Sequence, residues 1–195
     1  MSRKNEGLTF IEKKKHFSKS LLRDIFGTVF YCFAAILLSA VLVFAYGRKT
    51  TVIGGSMEPV LINGQEILID RFLYGISNPK RGDVICFYPK GNEKSHIYVK
   101  RVVGLPNETL EIRGGNLYVD GVRLSDQEQY DLIDGTEDGT ETYALGADEY
   151  FVLGDNRNNS EDSRNGNIGA VKKDTIIGKA WFRLKKEENG ADLIK

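Results

Sequence analysis

An uninterrupted apolar segment near the N-terminus constrains this chain more than any other feature. Residues 25–47, IFGTVFYCFAAILLSAVLVFAYG, contain no Asp, Glu, Lys or Arg. About 20 apolar residues in a helix cross the hydrocarbon core of a bilayer, so this segment predicts a transmembrane helix. A cleaved secretory signal is the alternative, but the apolar core of such a signal usually has about 7 to 15 residues. The length therefore favours an uncleaved single-pass anchor.

Charges are distributed unevenly around this segment. Residues 1–24 carry seven Lys or Arg and three acids, and the rest of the chain carries 20 Lys or Arg and 24 acids. Because basic residues beside a span stay in the cytoplasm, we expect a cytoplasmic tail at 1–24 and an extracytoplasmic domain at 48–195. The expected location is the cell membrane, with the lipid bilayer as a partner. The acidic balance of the large domain argues against nucleic-acid binding.

Beyond the apolar segment, the pattern is typical of short β-strands separated by turns. Val, Ile, Tyr and Phe are concentrated in residues 65–72, 83–89, 96–105, 109–112, 116–124, 149–154 and 175–184. Gly114-Gly115 and Asp120-Gly121 predict hairpin turns. Residues 125–149 hold nine acids and no Lys or Arg, which predicts an exposed, solvated loop. We expect a mostly β fold, an antiparallel β-sheet domain preceded by a single N-terminal transmembrane α-helix.

Cysteine and histidine are scarce in the chain. Cys32 lies in the predicted span and Cys86 in the outer domain, so we expect no disulfide between them. His16 and His96 lie on opposite sides of the predicted span. Because these residues form no cluster with the spacing of metal ligands, we expect no metal.

The segment TVIGGSMEPVLINGQ, residues 51–65, places Ser56 directly after two glycines. Glycines leave room for another backbone to approach closely. A serine needs a base before it can act as a nucleophile. Glu58 stands where a Gly-x-Ser-x-Gly motif would need glycine, and Pro59 stands where a Ser-x-x-Lys motif would need lysine. The segment is therefore either a loop that begins a strand or a nucleophile whose base lies elsewhere.

Two candidate bases lie in HIYVKRVVGLP, residues 96–106. Strand alternation puts Lys100 and Arg101 on opposite faces, so one of them faces inward unless the strand lies at an edge. Burial lowers the pKa of a lysine by as much as about 3 to 5 units, whereas arginine keeps its proton. His96 has no obvious acid partner. Lys100 is thus the favoured base, and a surface lysine is the alternative.

A third segment, LGDNRNNSEDSRNG, spans residues 153–166 and follows an apolar strand. It offers hydroxyl groups at Ser160 and Ser163 and a close charge pair in Asp162 and Arg164. These groups predict an ordered loop beside an active site, although a plain loop has the same composition.

Together these segments resemble the type I (leader) signal peptidases of bacteria. GGSMEPVL resembles the family's serine box, RGDVICFYP its structural strand box, YVKRVVGLP its lysine box and GDNRNNSEDSR its C-terminal loop box. The four boxes follow the family's order behind an N-terminal anchor. The resemblance covers roughly residues 25–184.

The resemblance implies a membrane-bound serine endopeptidase that cleaves N-terminal signal peptides from secreted preproteins at the outer face of the membrane. Ser56 corresponds to the nucleophile and Lys100 to the general base. Ser160 corresponds to the hydroxyl that hydrogen-bonds and orients the lysine, and Asp162 and Arg164 to a supporting ion pair. The family's catalytic fold is mostly antiparallel β, and the enzyme needs no cofactor.

The resemblance also implies where substrate binds. Gly55, Met57 and Tyr98 correspond to residues of the substrate cleft, and the Ser56 backbone N–H to an oxyanion donor. The implied substrates have small residues before the cleaved bond. Gly54 departs from the pattern, because some members carry there a serine whose hydroxyl helps to hold the oxyanion. We expect Gly54→Ser to keep or modestly raise the activity.

Two alternatives remain from the sequence. A repressor-type autoprotease uses a Ser–Lys dyad on a similar β fold, but it has a helical DNA-binding domain where this chain has the apolar segment. A membrane-anchored β domain that only binds a partner would leave Ser56 and Lys100 incidental.

Overall fold

A computed structural model describes residues 19–125, 129–135, 139–186 and 190–194 of the chain. Residues 1–18 of the predicted cytoplasmic tail lie outside the described residues. The chain divides into two compact units, residues 1–43 and 44–195. Helix α1 spans Lys19–Tyr46, and its residues Leu21–Leu42 are long and apolar enough to cross a membrane. The predicted span ended at Gly47, but Gly47 begins the first strand because it pairs with Asp70.

The second unit is built from antiparallel strands, which confirms the mostly β fold. In chain order the described strands are β1 (Gly47–Thr51), β2 (Glu66–Asp70), β3 (Val84–Phe87), β4 (Tyr98–Gly104), β5 (Thr109–Arg113), β6 (Asn116–Val119), β7 (Val122–Arg123), β8 (Thr140–Ala144), β9 (Glu149–Leu153), β10 (Val171–Lys172), β11 (Ile176–Arg183) and β12 (Asp192–Leu193). A short helix α2 (Leu73–Ile76) follows β2, and single 3₁₀ turns lie at Pro89–Gly91 and Lys173–Thr175.

These strands form two sheets. The larger sheet has the order β1-β2-β11-β3-β4-β9-β10, with β12 paired to β11, and the smaller has the order β7-β6-β5-β8. Strands β5 and β6 pair as a hairpin around Gly114-Gly115, and β6 and β7 pair around Asp120-Gly121. Both predicted hairpin turns are therefore confirmed.

The acidic segment 125–149 is not simply a solvated loop, as the sequence suggested. Its residues Thr140–Ala144 form β8, which pairs with β5 along its whole length. Ile133 and Leu145 are buried in the core of the smaller sheet. The strand is hard to recognise from composition because most of its side chains are exposed at a sheet edge. Residues 126–128 and 136–138 of this segment lie outside the described residues.

Strand β4 carries the candidate base and lies inside the larger sheet, between β3 and β9. Val99 packs in the cluster that also contains Met57 and Leu61. Val102 packs in a second cluster with Ile85. Both faces of β4 are therefore covered, and from Val99 onward each of its residues is buried.

Candidate active site

Ser56 lies on the loop between β1 and β2, and buried neighbours fix this loop. Met57 and Leu61 have no exposed surface and pack in the core. The Leu61 N–H donates to the Met57 carbonyl at 2.8 Å, and the Glu58 N–H donates to the Gly55 carbonyl at 3.2 Å. A turn anchored from the interior therefore presents the half-buried Ser56.

The side chain of Lys100 reaches Ser56 from β4. Its Nζ donates a hydrogen bond to Ser56 Oγ at 2.5 Å, and the residue is 4% exposed. Burial lowers the pKa of Lys100 from its ordinary value of 10.5 to about 8, although the carboxylates of Asp162 and Glu161 act in the opposite direction. The amine can therefore lose its proton at mildly alkaline pH and then accept the proton of the serine hydroxyl.

Arg101, the neighbour of Lys100 on β4, is also buried. The sequence predicted that one of this pair faces inward unless the strand lies at an edge, and in this interior strand both are buried. Arg101 Nε and Nη2 each donate to an oxygen of Asp155 at 2.7 Å, and Nη1 donates to the Gly82 carbonyl at 2.8 Å. The second charge can be buried because Asp155, whose side chain has no exposed surface, pairs with it.

The segment after β9 braces the loop that carries Ser56. The Asn156 N–H donates to the Ser56 carbonyl at 3.0 Å, and the Asn156 side-chain amide donates to the Gly55 carbonyl at 3.3 Å. Gly154 permits this approach, because a Cβ there would overlap both the Ser56 carbonyl oxygen and Ser160 Oγ. The two segments that the sequence placed near each other are thus in direct backbone contact.

Asp162 and Arg164 form the predicted ion pair within this segment. Arg164 Nε donates to Asp162 Oδ1 at 2.8 Å, and Arg164 Nη2 donates to Oδ2 at 2.9 Å. Asp162 Oδ2 also accepts the Gly154 N–H at 3.1 Å, and Arg164 Nη2 donates to the Arg157 carbonyl at 2.5 Å. The pair therefore fixes the backbone beside Lys100. Of the nearby carboxylates, Asp162 raises the pKa of Lys100 most.

Ser160 does not make the hydrogen bond to Lys100 that the resemblance implied. Its Oγ is buried and has no hydrogen-bond partner among the described residues. The hydroxyl lies beside Gly154 and the Ser56 carbonyl, while Lys100 Nζ is directed to Ser56 Oγ. The structure thus places Ser160 next to the backbone of Ser56.

A cleft of about 220 Å³ lies between the Ser56 loop and β4. It is lined by Val52, Ile53, Gly54, Gly55, Ser56, His96, Ile97, Tyr98, Val99, Lys100, Asn159 and Glu161. A substrate-binding role stays a prediction for Gly55 and Tyr98, but both line this cleft. Met57 does not, because its side chain is wholly buried in the core. The packing of Met57 in the core fixes the loop, and Gly54 and Gly55 of the same loop line the cleft.

Sequence reasoning missed three residues that the structure brings to this site. Asp155 pairs with Arg101, Asn156 holds the Ser56 loop, and Glu161 accepts a hydrogen bond from the Tyr98 hydroxyl at 2.9 Å. All three belong to segment 153–166, whose density of polar residues after an apolar strand was the available signal. What the sequence did not provide was the partner of each residue, because those partners are distant along the chain.

Among the described residues of the β unit, His96 lines the cleft and Cys86 does not. His96 lines the cleft and stacks on Tyr98 with ring centres 4.6 Å apart. Cys86 is buried, and burial raises the pKa of its thiol. Within the described part of the chain, no group of three or more His, Cys, Asp or Glu side chains is arranged to hold a metal. His16 lies outside the described residues.

Comparisons with known proteins identify relatives of this chain. The family model described as signal peptidase, peptidase S26, matches residues 25–185. Signal peptidase I P of Bacillus subtilis subsp. natto is 37% identical over 74% of this chain and 82% of its own length. Signal peptidase I of Bacillus amyloliquefaciens is 32% identical over 88% of this chain and 92% of its own length.

A crystal structure of a signal peptidase I from Enterococcus faecalis V583 matches 53% of this chain and 97% of its own, at 32% identity and a TM-score of 0.42. The assignment therefore rests on the sequence matches, which confirm the resemblance carried by the four boxes. The chain belongs to the signal peptidase I family, the serine proteases that cleave signal peptides.

Proposed function

We propose that Ser56 and Lys100 form a catalytic dyad that cleaves signal peptides from secreted preproteins at the outer face of the cytoplasmic membrane. The observation that carries this proposal is the 2.5 Å contact between Ser56 Oγ and the Nζ of a lysine that is 4% exposed. A serine and a base within hydrogen-bond reach are the arrangement that nucleophilic catalysis requires.

The reaction starts from the neutral amine. Lys100 Nζ accepts the hydroxyl proton of Ser56 as Oγ attacks the carbonyl carbon of the cleaved peptide bond. The resulting ammonium then gives this proton to the nitrogen of the departing mature chain, and the signal peptide remains as an acyl ester on Ser56. Lys100 next takes a proton from a water molecule, whose oxygen attacks the ester. The Lys100 ammonium then returns this proton to Ser56 Oγ as the ester bond breaks, which releases the signal peptide with a new C-terminal carboxyl group and restores the free serine and the neutral lysine.

The developing oxyanion is held by the Ser56 backbone N–H. This N–H donates to no acceptor among the described residues, so it is available for the substrate oxygen. Donors of this kind stabilise charge that appears only in the transition state. Asp162 and Arg164 act as positioning residues, because they fix the backbone next to Lys100.

The substrate lies extended along the cleft, with small side chains before the cleaved bond. The cleft has only about 220 Å³, and the glycines at positions 54 and 55 add no side chains to its wall. An extended peptide can pair with neighbouring strand edges in such a groove. We therefore assign preproteins with small residues just before the bond as substrates.

The membrane segment and the site are close in the chain. Nine residues lead from Gly47 to Ser56, which places Ser56 at most about 30 Å from the start of β1. The basic residues of segment 1–24 precede the span and favour an N-terminus in the cytoplasm. The β unit then faces outward, where the cleavage site of a secreted preprotein emerges.

One experiment tests both the activity and the orientation. A fluorogenic signal-peptide substrate that does not cross membranes is added to intact spheroplasts that carry the full chain, its Ser56→Ala variant or neither. We expect the full chain to raise cleavage above the background and the Ser56→Ala variant to add nothing, because the nucleophile is lost. Detergent should add no further activity, since the site already faces outward.

The outcomes separate the parts of the proposal. Cleavage that appears only after detergent would reverse the orientation but keep the activity. No gain from the full chain under either condition would show that the activity itself is assigned wrongly. A Ser56→Ala variant as active as the parent would exclude the serine as nucleophile.

Gly54 bears on the oxyanion, and its backbone changes the expectation for Gly54→Ser. Gly54 has φ +83°, and a Cβ there meets nothing within 4 Å. Space is therefore ample, but left-handed backbone costs a non-glycine residue about 1 to 2 kcal/mol. Relief of that strain would shift the loop beside Ser56. We now expect Gly54→Ser to lower kcat/KM about tenfold, instead of keeping or raising it.

Gly121→Ser is the matched control for Gly54→Ser. Gly121 has φ +80° and equally open surroundings, but it lies in the hairpin between β6 and β7. Steady-state kinetics and thermal melting of both variants separate backbone strain from a role at the site. Gly121→Ser should lose stability and keep its activity. Full activity in Gly54→Ser would refute the requirement for this backbone conformation.

A further inference from the structure

One exposed carboxylate at the cleft takes no part in the reaction described above. Glu161 lines the cleft together with Ser56 and Lys100, and its side chain is exposed. Its Oε2 accepts a hydrogen bond from the Tyr98 hydroxyl at 2.9 Å, and its Oε1 accepts one from Asn167 Nδ2 at 3.5 Å. Both oxygens are thus engaged, so the carboxylate has a defined place at the cleft.

The ring of Tyr98 separates this carboxylate from the base. Lys100 Nζ lies 5.7 Å from the centre of the Tyr98 ring, and the hydroxyl of the same ring contacts Glu161. An extended substrate advances about 3.3 Å per residue. Substrate residues within two positions of the cleaved bond therefore lie about the length of one aromatic side chain from the carboxylate of Glu161.

The net charge of the cleft depends on the protonation state of Lys100 in which the reaction starts. Lys100 acts as a base only after it has lost its proton. In that state the described lining of the cleft holds one carboxylate, that of Glu161, and no positively charged Lys or Arg. A substrate thus enters a groove whose formal charge at this point is negative.

We propose that Glu161 selects substrates by charge. Its carboxylate disfavours preproteins with an acidic residue within two positions of the cleaved bond and favours those with a basic residue there. This inference rests on the proposed function, because it concerns the substrates of the same site. Glu161 is a specificity-determining residue and is not required for the chemistry itself.

A second consequence concerns the base. The charged groups around Lys100 are Asp155, Glu161, Asp162 and Arg164 from the segment after β9, and His96 shares the cleft. Asp162 and then Glu161 raise the pKa of Lys100 against the effect of burial. Removal of the Glu161 charge should therefore lower that pKa, and the acidic limb of the pH–rate profile should move to lower pH by about 0.3 unit.

The test uses the full-length protein in detergent micelles and a set of peptides that differ only in charge. Asn, Asp or Lys is placed in turn at each of the two positions after the cleaved bond of one signal-peptide substrate, because the residues before it have to be small. For the wild type we expect kcat/KM of the Lys peptide to exceed that of the Asp peptide about three- to tenfold at the most sensitive position. Glu161→Gln should bring this ratio close to one, and Glu161→Lys should invert it.

A matched control is available in the smaller sheet. Glu141 is also exposed, and it accepts a hydrogen bond from the Tyr143 hydroxyl at 2.7 Å, but it does not line the cleft. Glu141→Gln should keep the wild-type ratio and the wild-type pH profile. High salt should reduce the ratio for the wild type, because screening weakens interactions between exposed charges.

The possible results are distinct. A Lys-to-Asp ratio that Glu161→Gln leaves unchanged at both positions overturns the inference and leaves the proposed function intact. A pH profile that does not move in Glu161→Gln overturns the electrostatic link to Lys100. If the wild type cleaves none of the peptides, the neutral one included, the proposed function fails and this inference fails with it.

Discussion

Replacement of Lys100 by methionine is expected to lower kcat/KM for a signal-peptide substrate on the order of 10⁴-fold. Methionine keeps an unbranched side chain in the buried position but has no group that can take the proton of Ser56. Lys100→Arg should be equally inactive, because a guanidinium keeps its proton. Steady-state kinetics measures the loss. Thermal melting checks the fold, which should be retained because the substitution leaves no new buried charge.

Lys172→Met is the control for Lys100→Met. Lys172 is an exposed lysine on β10 that lies outside the cleft, and its replacement should change kcat/KM by less than about twofold. Substantial activity in Lys100→Met would show that another base works at this site. His96 would then be examined first, because it is the described histidine that lines the cleft.

The pH dependence of the wild type gives a second readout of the same residue. Burial lowers the pKa of Lys100 to about 8, and the neutral amine is the active form. The activity should therefore be full above this pH and fall about tenfold per pH unit below it. A profile of kcat/KM that stays flat down to pH 6 would contradict a lysine base.

Most strands could be predicted from the sequence, because their side chains alternate between a core and the opposite face. The seven predicted segments all contain strands of the structure, since β-branched and aromatic residues fit a pleated, half-buried surface. Strand β8 was missed because its partner, β5, supplies its backbone hydrogen bonds while most of its side chains stay exposed. Edge strands of this kind carry little signal in composition.

The sequence predicted those parts of the candidate site in which a single residue type can fill a role. Ser56 and Lys100 are brought together as expected, because the chemistry permits few other pairs. The sequence did not predict which residues that are distant along the chain contact each other. Neither the burial of Met57 nor the unpartnered hydroxyl of Ser160 follows from the local sequence. Both depend on how the loop of Ser56 packs against the segment after β9.

The burial of Arg101 shows most clearly that contacts between distant residues could not be predicted from the sequence. Two adjacent cations in one strand predicted that one faces inward, but the sequence did not indicate that both are buried. Asp155 lies 54 residues away along the chain and accepts two hydrogen bonds from Arg101. A buried charge is tolerated when a partner of opposite charge satisfies it. The partner, and not the strand pattern, therefore decides which face of β4 can hold an arginine.

Removal of Arg101 is expected to give the largest loss of stability among the changes considered. Arg101→Met leaves Asp155, whose side chain has no exposed surface, without its two hydrogen bonds of 2.7 Å. Breaking one side of a buried pair costs about 3 to 5 kcal/mol. For a unit of this size we expect Tm to fall by about 10 °C. Thermal melting of the full chain in detergent measures the change.

Two further variants separate the buried charge from the loss of packing. Arg101→Met combined with Asp155→Leu removes both charges, and this double variant should recover most of the lost stability, because an apolar pair often replaces a buried ion pair without cost. Lys49→Met breaks the exposed pair between Lys49 and Glu66, whose side chains are 53% and 45% exposed, and should cost less than about 1 kcal/mol. If Arg101→Met melts no earlier than Lys49→Met, or if the double variant melts as early as the single one, the uncompensated charge of Asp155 is not the cause of the loss.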